Sequence, residues 1–182
     1  MAIIESIQKR KSIRKYASTA IEKNKVTRCL EAGRLAPSAC NAQPWKFIVI
    51  DEAGTREKVA KAAKADLLNM NKFTDQAPVI IAIVMEPANI TSTLGSKIKR
   101  KHYPLIDIGI VAEHICLQAT NEGLGSCMIG WLNENKVKKV LGIPSSRRVP
   151  LLITLGYPED HKEKEKSRKD FDEIVSYNSY KE

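Results

Sequence analysis

Apolar positions along the chain recur with two periods, and switching between them divides the sequence into helices and strands. Ile3, Ile4 and Ile7 fall at helical spacing ahead of a basic run. Val26, Leu30 and Gly33 do the same after Thr19, which reads as an N-cap followed by Glu22. Two helices therefore lead the chain. Lys46 to Asp51 (KFIVID) reads as a strand, and Glu52 to Asp66 as an Ala- and Lys-rich surface helix. Pro78 to Met85 (PVIIAIVM) is apolar on both alternating sets, which predicts a buried, central strand. From Leu105 to Gly123 apolar residues occupy nearly every face, so this segment is predicted to be a helix enclosed by other elements. Ser126 to Trp131 predicts a short strand, Asn133 caps a helix ending near Leu141 and Gly142, and Val149 to Gly156 predicts a further strand.

Helices outnumber strands and do not alternate with them in strict βα order. An α+β arrangement, with helices packed on a mixed sheet, is therefore expected rather than a doubly wound one. Glu86 to Pro104 (polar, then basic) and Asp160 to Asp170 (densely charged) read as connections, and Phe171 to Tyr180 as a tail ordered only by packing elsewhere. A chain of 182 residues with 43% hydrophobic content suits one domain spanning 1–182.

Thirty Lys and Arg against 21 Asp and Glu give a net charge of +9, which favours anionic partners without choosing among them. The basic stretches Lys9 to Lys15 and Lys97 to Lys101 lack interleaved aromatics, so no nucleic-acid partner is expected. Cys29, Cys40, Cys116 and Cys127 form no C-x-x-C pair and fit a reducing, cytoplasmic setting. The opening MAIIESIQKRKS is too short for a secretory apolar core, and no stretch nears the ~18 apolar residues of a membrane span; no membrane partner is expected.

The familiar catalytic motifs are absent: no G-x-S-x-G, H-E-x-x-H or G-x-x-x-x-G-K-[ST] occurs, nor a strand-linked G-x-G-x-x-G. His102, His114 and His161 match no zinc spacing, so no metal is expected, and His114 reads as a hydrogen-bonded structural residue. Cys40 has no recognisable partner His, so a packing role is expected rather than a nucleophilic one. In KRKSIRK, Arg10 and Arg14 share a face whether the chain there is helical or extended, and if it is extended Ser12 joins them. Two guanidinium forks and a hydroxyl suit a phosphate. The same run also reads as a solvated charged stretch after a helix.

Three segments in order change the balance: KRKSIRKY, then LEAGRLAPSACNAQPWKF, then KSR at Lys166 to Arg168. This order resembles the FMN-dependent nitroreductase family, with its R-x-S-x-[RK] run and A-P-S-x-x-N-x-Q-P-W motif. Asp107 to Gly130, where a long helix ending EGLG leads into SCMIGWLN, and LGYP at Leu155 to Pro158 extend the resemblance over nearly the whole chain. It implies a nitroreductase-like three-layer sandwich, helices around a central mixed β-sheet, and an obligate homodimer with FMN at the subunit interface. Arg10 and Ser12 would then hold the flavin phosphate and ribityl chain together with Lys166 and Arg168, with Lys11 also in the cofactor-binding set. Arg14 would face the pyrimidine edge. Pro37, Ser38, Ala39 and Asn41 would reach the flavin from the partner subunit, with Gln43 nearby and Trp45 anchoring the turn. Met128, Ile129 and Gly130 would offer backbone near flavin N5. No side chain is expected to be catalytic, since the chemistry lies at N5.

The implied reaction is hydride transfer from NADH or NADPH, through the flavin, to a small electron-poor acceptor such as a nitroaromatic or quinone. A different flavin reaction on the same fold (dehydrogenation, dehalogenation or flavin breakdown) and a non-catalytic FMN-binding protein are the alternatives. The chain is short for the family, its Glu86 to Pro104 segment is compact, and flavin contacts around Asn69 to Phe73 are not placed by the resemblance.

Overall fold

The computed structural model describes residues 2–64, 70–87, 102–159 and 166–180. Its elements are α1 (Ile3–Lys9), α2 (Lys23–Arg34), β1 (Trp45–Ile50), α3 (Ala53–Ala63), β2 (Val79–Met85), α4 (Tyr103–Asn121), β3 (Gly125–Ile129), α5 (Glu134–Leu141), β4 (Arg148–Gly156) and α6 (Phe171–Ile174). The strands form one four-stranded sheet in the order β1-β2-β4-β3.

Strand β2 explains the layering. Its side chains alternate between the two faces of the sheet. Val79, Ile81 and Ile83 join Val26 and Cys29 of α2 and Ile108, Val111, Ile115 and Ala119 of α4 in one core. Ile80, Ala82 and Val84 join Val59, Ala60, Ala62 and Ala63 of α3 and Val137 of α5 in the other. A strand apolar on both sets needs cover on both sides, which makes α2/α4, sheet and α3/α5 three layers. Each fully buried Ile in it contributes roughly 1.5–3 kcal/mol of apolar burial. The strand pairs are all antiparallel, Ile50 facing Ile80 and Ile81 facing Ile153. Among the pairings of the described residues, the parallel one, expected from a mixed sheet, is an isolated bridge between Ser12 and Ser126.

Several boundaries differ from the sequence reading. Thr19 does not cap α2; the helix starts at Lys23 with Glu22 before it. The preceding chain is committed elsewhere: Tyr16 bridges Pro158 and the Ala17 amide donates to the Tyr157 carbonyl (2.9 Å), so residues 17–22 stay non-helical. Tyr157, from LGYP, donates to Glu22 (2.6 Å) and accepts from Lys25 (2.7 Å), clamping the end of β4 to α2. Helix α3 ends at Ala63, short of the expected Asp66, with Lys64 extended and paired to Asp75. Its last carbonyls are taken laterally, Ala62 by the Asn133 amide (2.9 Å) and Ala63 by Asn71 Nδ2 (3.0 Å), so no further helical turn is needed to satisfy them. The Asn133 cap and the left-handed Gly142 of α5 stand as read.

Helix α4 is enclosed over most of its length, but Leu105 and Ile106 in its first turn are 48% and 54% exposed. An all-round apolar pattern marks burial without saying against what. No helix among the described residues is long and apolar enough to cross a membrane. At the other end of the chain, Asp170 and Glu173 form a capping box on α6, yet Phe171, Ile174, Tyr177 and Tyr180 remain exposed. Glu86 of the polar connection is held by Arg147 (2.9 Å), while Lys97 to Lys101, Asn69, His161 and most of Asp160 to Asp170 lie outside the described residues.

Glu52 precedes α3 and accepts from the Gly54 and Thr55 amides. The Thr55 hydrogen bond first, then the two backbone amides, hold its carboxyl at about 2 rather than 4.5. A depressed carboxyl stabilises the fold above its ordinary value and loses that contribution as pH falls through the folded one. Thermal melts should place Glu52→Gln below wild type at pH 7, with the gap closing between pH 4.5 and about 2. A gap that is constant with pH would contradict this.

Candidate functional site

The site is built along the free edge of β3. Helix α1 stops at Lys9 because Arg10 turns extended (ψ 121), and the chain then runs beside β3. Ser12 bridges Ser126 in parallel, and the Ile13 amide donates to the Ser126 carbonyl (2.9 Å). The extended form of the basic run is therefore the one adopted, so Arg10, Ser12 and Arg14 alternate onto one side. Ile13 takes the other side, over Gly125, where a Cβ would lie 2.6–2.9 Å from its side-chain carbons. Tyr16 closes the run: it is buried, its hydroxyl donates to the Ile13 carbonyl (2.8 Å), and it shares a hydrogen bond with Thr154 (2.7 Å).

Two distant segments bring further charge to this edge. Lys166 donates to the Ile7 carbonyl near the end of α1 (2.6 Å), and Arg168 donates to its neighbour Ser167 (2.7 Å). Arg10 Nε pairs with Glu113 Oε1 of α4 at 3.2 Å. Partial burial, and then the like charges of Arg10 and Arg168, push the Lys166 ammonium below its ordinary value. Lys166 thus lies within the electrostatic reach of Arg10 and of Arg168. Behind them is Cys127: burial pushes its thiol up, against the opposing pull of Arg14, the Ser12 hydrogen bond and Arg10. Arg10, Ser12 and Arg14 thus share the β3 edge beside Cys127, with half-buried Lys11 between the first two in sequence, and Lys166 is held at the end of α1.

β3 continues into Met128, Ile129 and Gly130. Met128 packs on the α2/α4 core and Ile129 is buried in the α3/α5 core, so both leave mainly backbone for a ligand. Gly130 is exposed, and a Cβ there would meet only Leu151 at an ordinary 3.6 Å. Its own chain does not require the glycine; a ligand approaching the backbone would. Asn71, in the region left unplaced by sequence, is left-handed (φ 61), and its Nδ2 donates to the carbonyls of Ala63 and Trp131 (3.0 and 2.9 Å). It braces the segment after Gly130.

The Pro37 to Gln43 loop is anchored separately. The Ala39 amide donates to Asp107 Oδ1 (3.1 Å); Asp107 is 3% exposed and its Oδ2 has no partner among the described residues. Ser38 Oγ accepts from the Gln43 amide (2.9 Å), and Gln43 Nε2 donates to the Asn41 carbonyl and to Asn41 Oδ1 (3.3 and 3.2 Å). The Gln43 side chain thus braces its own loop, and the Asn41 end left to donate is Nδ2. Cys40, Asn41 and Gln43 all have positive φ (52, 49 and 46). Cys40, at a left-handed position of the turn, is exposed, which corrects the packing role expected of it. Cys29, Cys116 and Cys127 are buried, and His114 contacts the Ala32 carbonyl as a structural histidine would (3.3 Å).

The structure therefore gathers the cationic set at β3 and places the loop elsewhere on α4. Asp107 and Glu113 are six residues apart, about 9 Å along the helix and about 120° around it. Both were missed in the sequence; the one signal they gave was an acid interrupting the apolar runs LIDIGIV and IVAEHI.

The nitroreductase family model matches residues 7–157. The chain belongs to the nitroreductase family. A protein of Archaeoglobus fulgidus named for NADH dehydrogenase and NAD(P)H nitroreductase activity is 32% identical over 168 residues, covering 88% of this chain and 87% of its own. A nitroreductase family protein of Clostridium novyi superposes with a TM-score of 0.76 at 36% identity, covering 88% and 87% of the two chains. An FMN-dependent nitroreductase of Clostridium difficile does so with 0.77 at 28%, covering 97% and 99%. Permanent charge on Arg10 and Arg168 suits a phosphate, and the open backbone at Gly130 suits a planar ring.

Gly125 tests how the site is assembled. In Gly125→Ala the new Cβ collides with the Ile13 side chain near its root, which cannot swing away. We expect a loss of about 1–3 kcal/mol in denaturant unfolding, with faster tryptic cleavage within Lys9 to Lys15. Unchanged stability and cleavage would show that the run is not seated on β3.

Proposed function

We propose that the chain works as a homodimeric NAD(P)H-dependent flavin oxidoreductase, holding FMN between subunits and passing reducing equivalents to a small electron-poor acceptor such as a nitroaromatic or quinone. The observation that supports this reading is the extended run carrying Arg10, Ser12 and Arg14 along the β3 edge, with Lys166 tied to the end of α1, in a nitroreductase-family chain. The flavin, when bound, supplies the redox chemistry by accepting and releasing hydride at N5.

The chain's own residues bind and orient. Arg10, Lys166 and Arg168 neutralise the phosphate, with the Ser12 hydroxyl beside them and Lys11 at the rim. Arg14 is a fixed cation for the pyrimidine edge, where negative charge gathers on reduction. The backbone of Met128, Ile129 and Gly130 meets the ring near N5. Pro37, Ser38, Ala39 and Asn41 come from the other subunit, with Gln43 holding them in shape. Two separated half-sites on one chain are what a shared site requires.

The uncovered apolar surface supports a dimer. Ile3, Ile4 and Ile7 of α1, Leu105 and Ile106 of α4, and Phe171, Ile174, Tyr177 and Tyr180 of the tail are all exposed. A second copy is the natural cover for such surface. Cys29, Cys116 and Cys127 lie buried as free thiols, which suits a reducing, cytoplasmic setting.

Purified protein should be yellow, sediment as a dimer, and bleach on anaerobic titration with NADH or NADPH, recovering on addition of a quinone or nitroaromatic. Arg10→Ala should lose FMN by about tenfold or more in Kd, as expected for removing a charged phosphate contact. Arg14→Ala should keep FMN but lower its reduction potential. Flavin that NAD(P)H reduces but neither acceptor reoxidises would point to another flavin reaction; flavin that NAD(P)H cannot reduce would point to a binding protein. A colourless monomer that refuses FMN would end the proposal.

A further inference from the structure

Glu113 stands on the exposed side of the cation cluster and belongs to no recognised motif. Its carboxylate forms an ion pair with Arg10, Oε1 to Nε at 3.2 Å, with Arg10 21% and Glu113 42% exposed. A guanidinium held through Nε has its rotation fixed and presents its two Nη groups together, the fork that a phosphate accepts. Lys166 is drawn to the same corner by the Ile7 carbonyl, and Arg168 follows it two residues on. The field of Glu113 reaches beyond Arg10, opposing the loss of charge on Lys166 and raising the Cys116 thiol on its own helix. One carboxylate thus acts on both Arg10 and Lys166.

A phosphate monoester carries a charge near −2 at neutral pH and would be a second anion for the same cations. Glu113 cannot help one arrangement without opposing the other: it keeps the corner assembled while empty and repels the phosphate when it arrives. We infer that Glu113 positions Arg10 and sets how strongly the site prefers a phosphorylated flavin over an unphosphorylated one. This rests on the FMN reading above. The residue touches no reacting atom, and its effect falls on the phosphate arm alone.

The two functions of Glu113 separate by substitution. Glu113→Gln keeps an oxygen for Arg10 Nε and removes the charge; Glu113→Ala removes both. Because the pair is partly solvated, neither change should unfold the protein, which thermal melts would check. Dissociation constants for FMN and riboflavin are then measured on apo-protein by flavin fluorescence, at low and high salt. Glu113→Gln should bind FMN about tenfold tighter with riboflavin unchanged, and the gain should shrink as salt screens the site. Glu113→Ala should bind FMN less tightly than Glu113→Gln, since Arg10 is no longer aimed. Equal shifts for FMN and riboflavin, or an FMN-to-riboflavin ratio like that of wild type, would overturn the inference while leaving the FMN reading intact. Wild-type protein that binds neither flavin would overturn both.

Discussion

One backbone hydrogen bond fixes where the positive charge of this molecule is delivered. The Ile13 amide donates to the Ser126 carbonyl, setting the register of an extended run against β3. Side chains alternate along such a run, so the register decides that Ile13 packs inward over Gly125 while Arg10, Ser12 and Arg14 stay together outside. A slip by one residue would put Ser12 or Arg14 against the core. The register is held redundantly. Gly125 gives Ile13 room, Tyr16 seals the run through Thr154, and the bridge to Pro158 fixes its far end. Burial pushes the Tyr16 phenol up, so it stays a neutral hydrogen-bonding group here.

Much of the fold was legible because it depends on patterns local to the chain. An apolar run on both alternating sets gave β2 its central place, and Asn133 and Gly142 mark the ends of α5 with side-chain and backbone chemistry that needs no tertiary context. The misses share one cause. Thr19 has the chemistry of an N-cap, but a bridge to residues far along the chain holds its neighbourhood extended. Helix α3 has the composition to continue past Ala63, but Asn71 and Asn133 satisfy its last carbonyls from outside. Long-range contacts outweighed propensity in both places.

The same division runs through the candidate site. The R-x-S-x-[RK] run and the A-P-S-x-x-N-x-Q-P-W segment could be read because their residues are adjacent in sequence. What holds them could not. Asp107 meets Ala39 across 68 residues, and nothing in LIDIGIV tells which amide its carboxylate will take. Gln43 was expected near a cofactor, and a long amide two residues from an Asn also ties a loop to itself, as its contacts within the chain show. Residue type told what chemistry was present; geometry told which of it was already engaged.

Helix α4 then sets the distance between the two halves. Three left-handed non-glycine residues in the Pro37 to Gln43 loop cost on the order of 1 kcal/mol each, and Asp107, Ser38 and Gln43 supply the hydrogen bonds that hold them there. A buried carboxylate with one oxygen unpartnered among the described residues is an expensive anchor, and it fixes a loop whose Asn41 and Gln43 are exposed. The cations gather about two turns further along the same rigid helix, near Glu113 and on another side of it. A planar ligand with a charged arm needs both halves, but one copy presents them in directions that diverge. Two copies related by a twofold axis through their exposed apolar surfaces would bring the loop of each onto the cations of the other. Under the dimeric reading proposed above, that twofold axis would make the two sites equivalent.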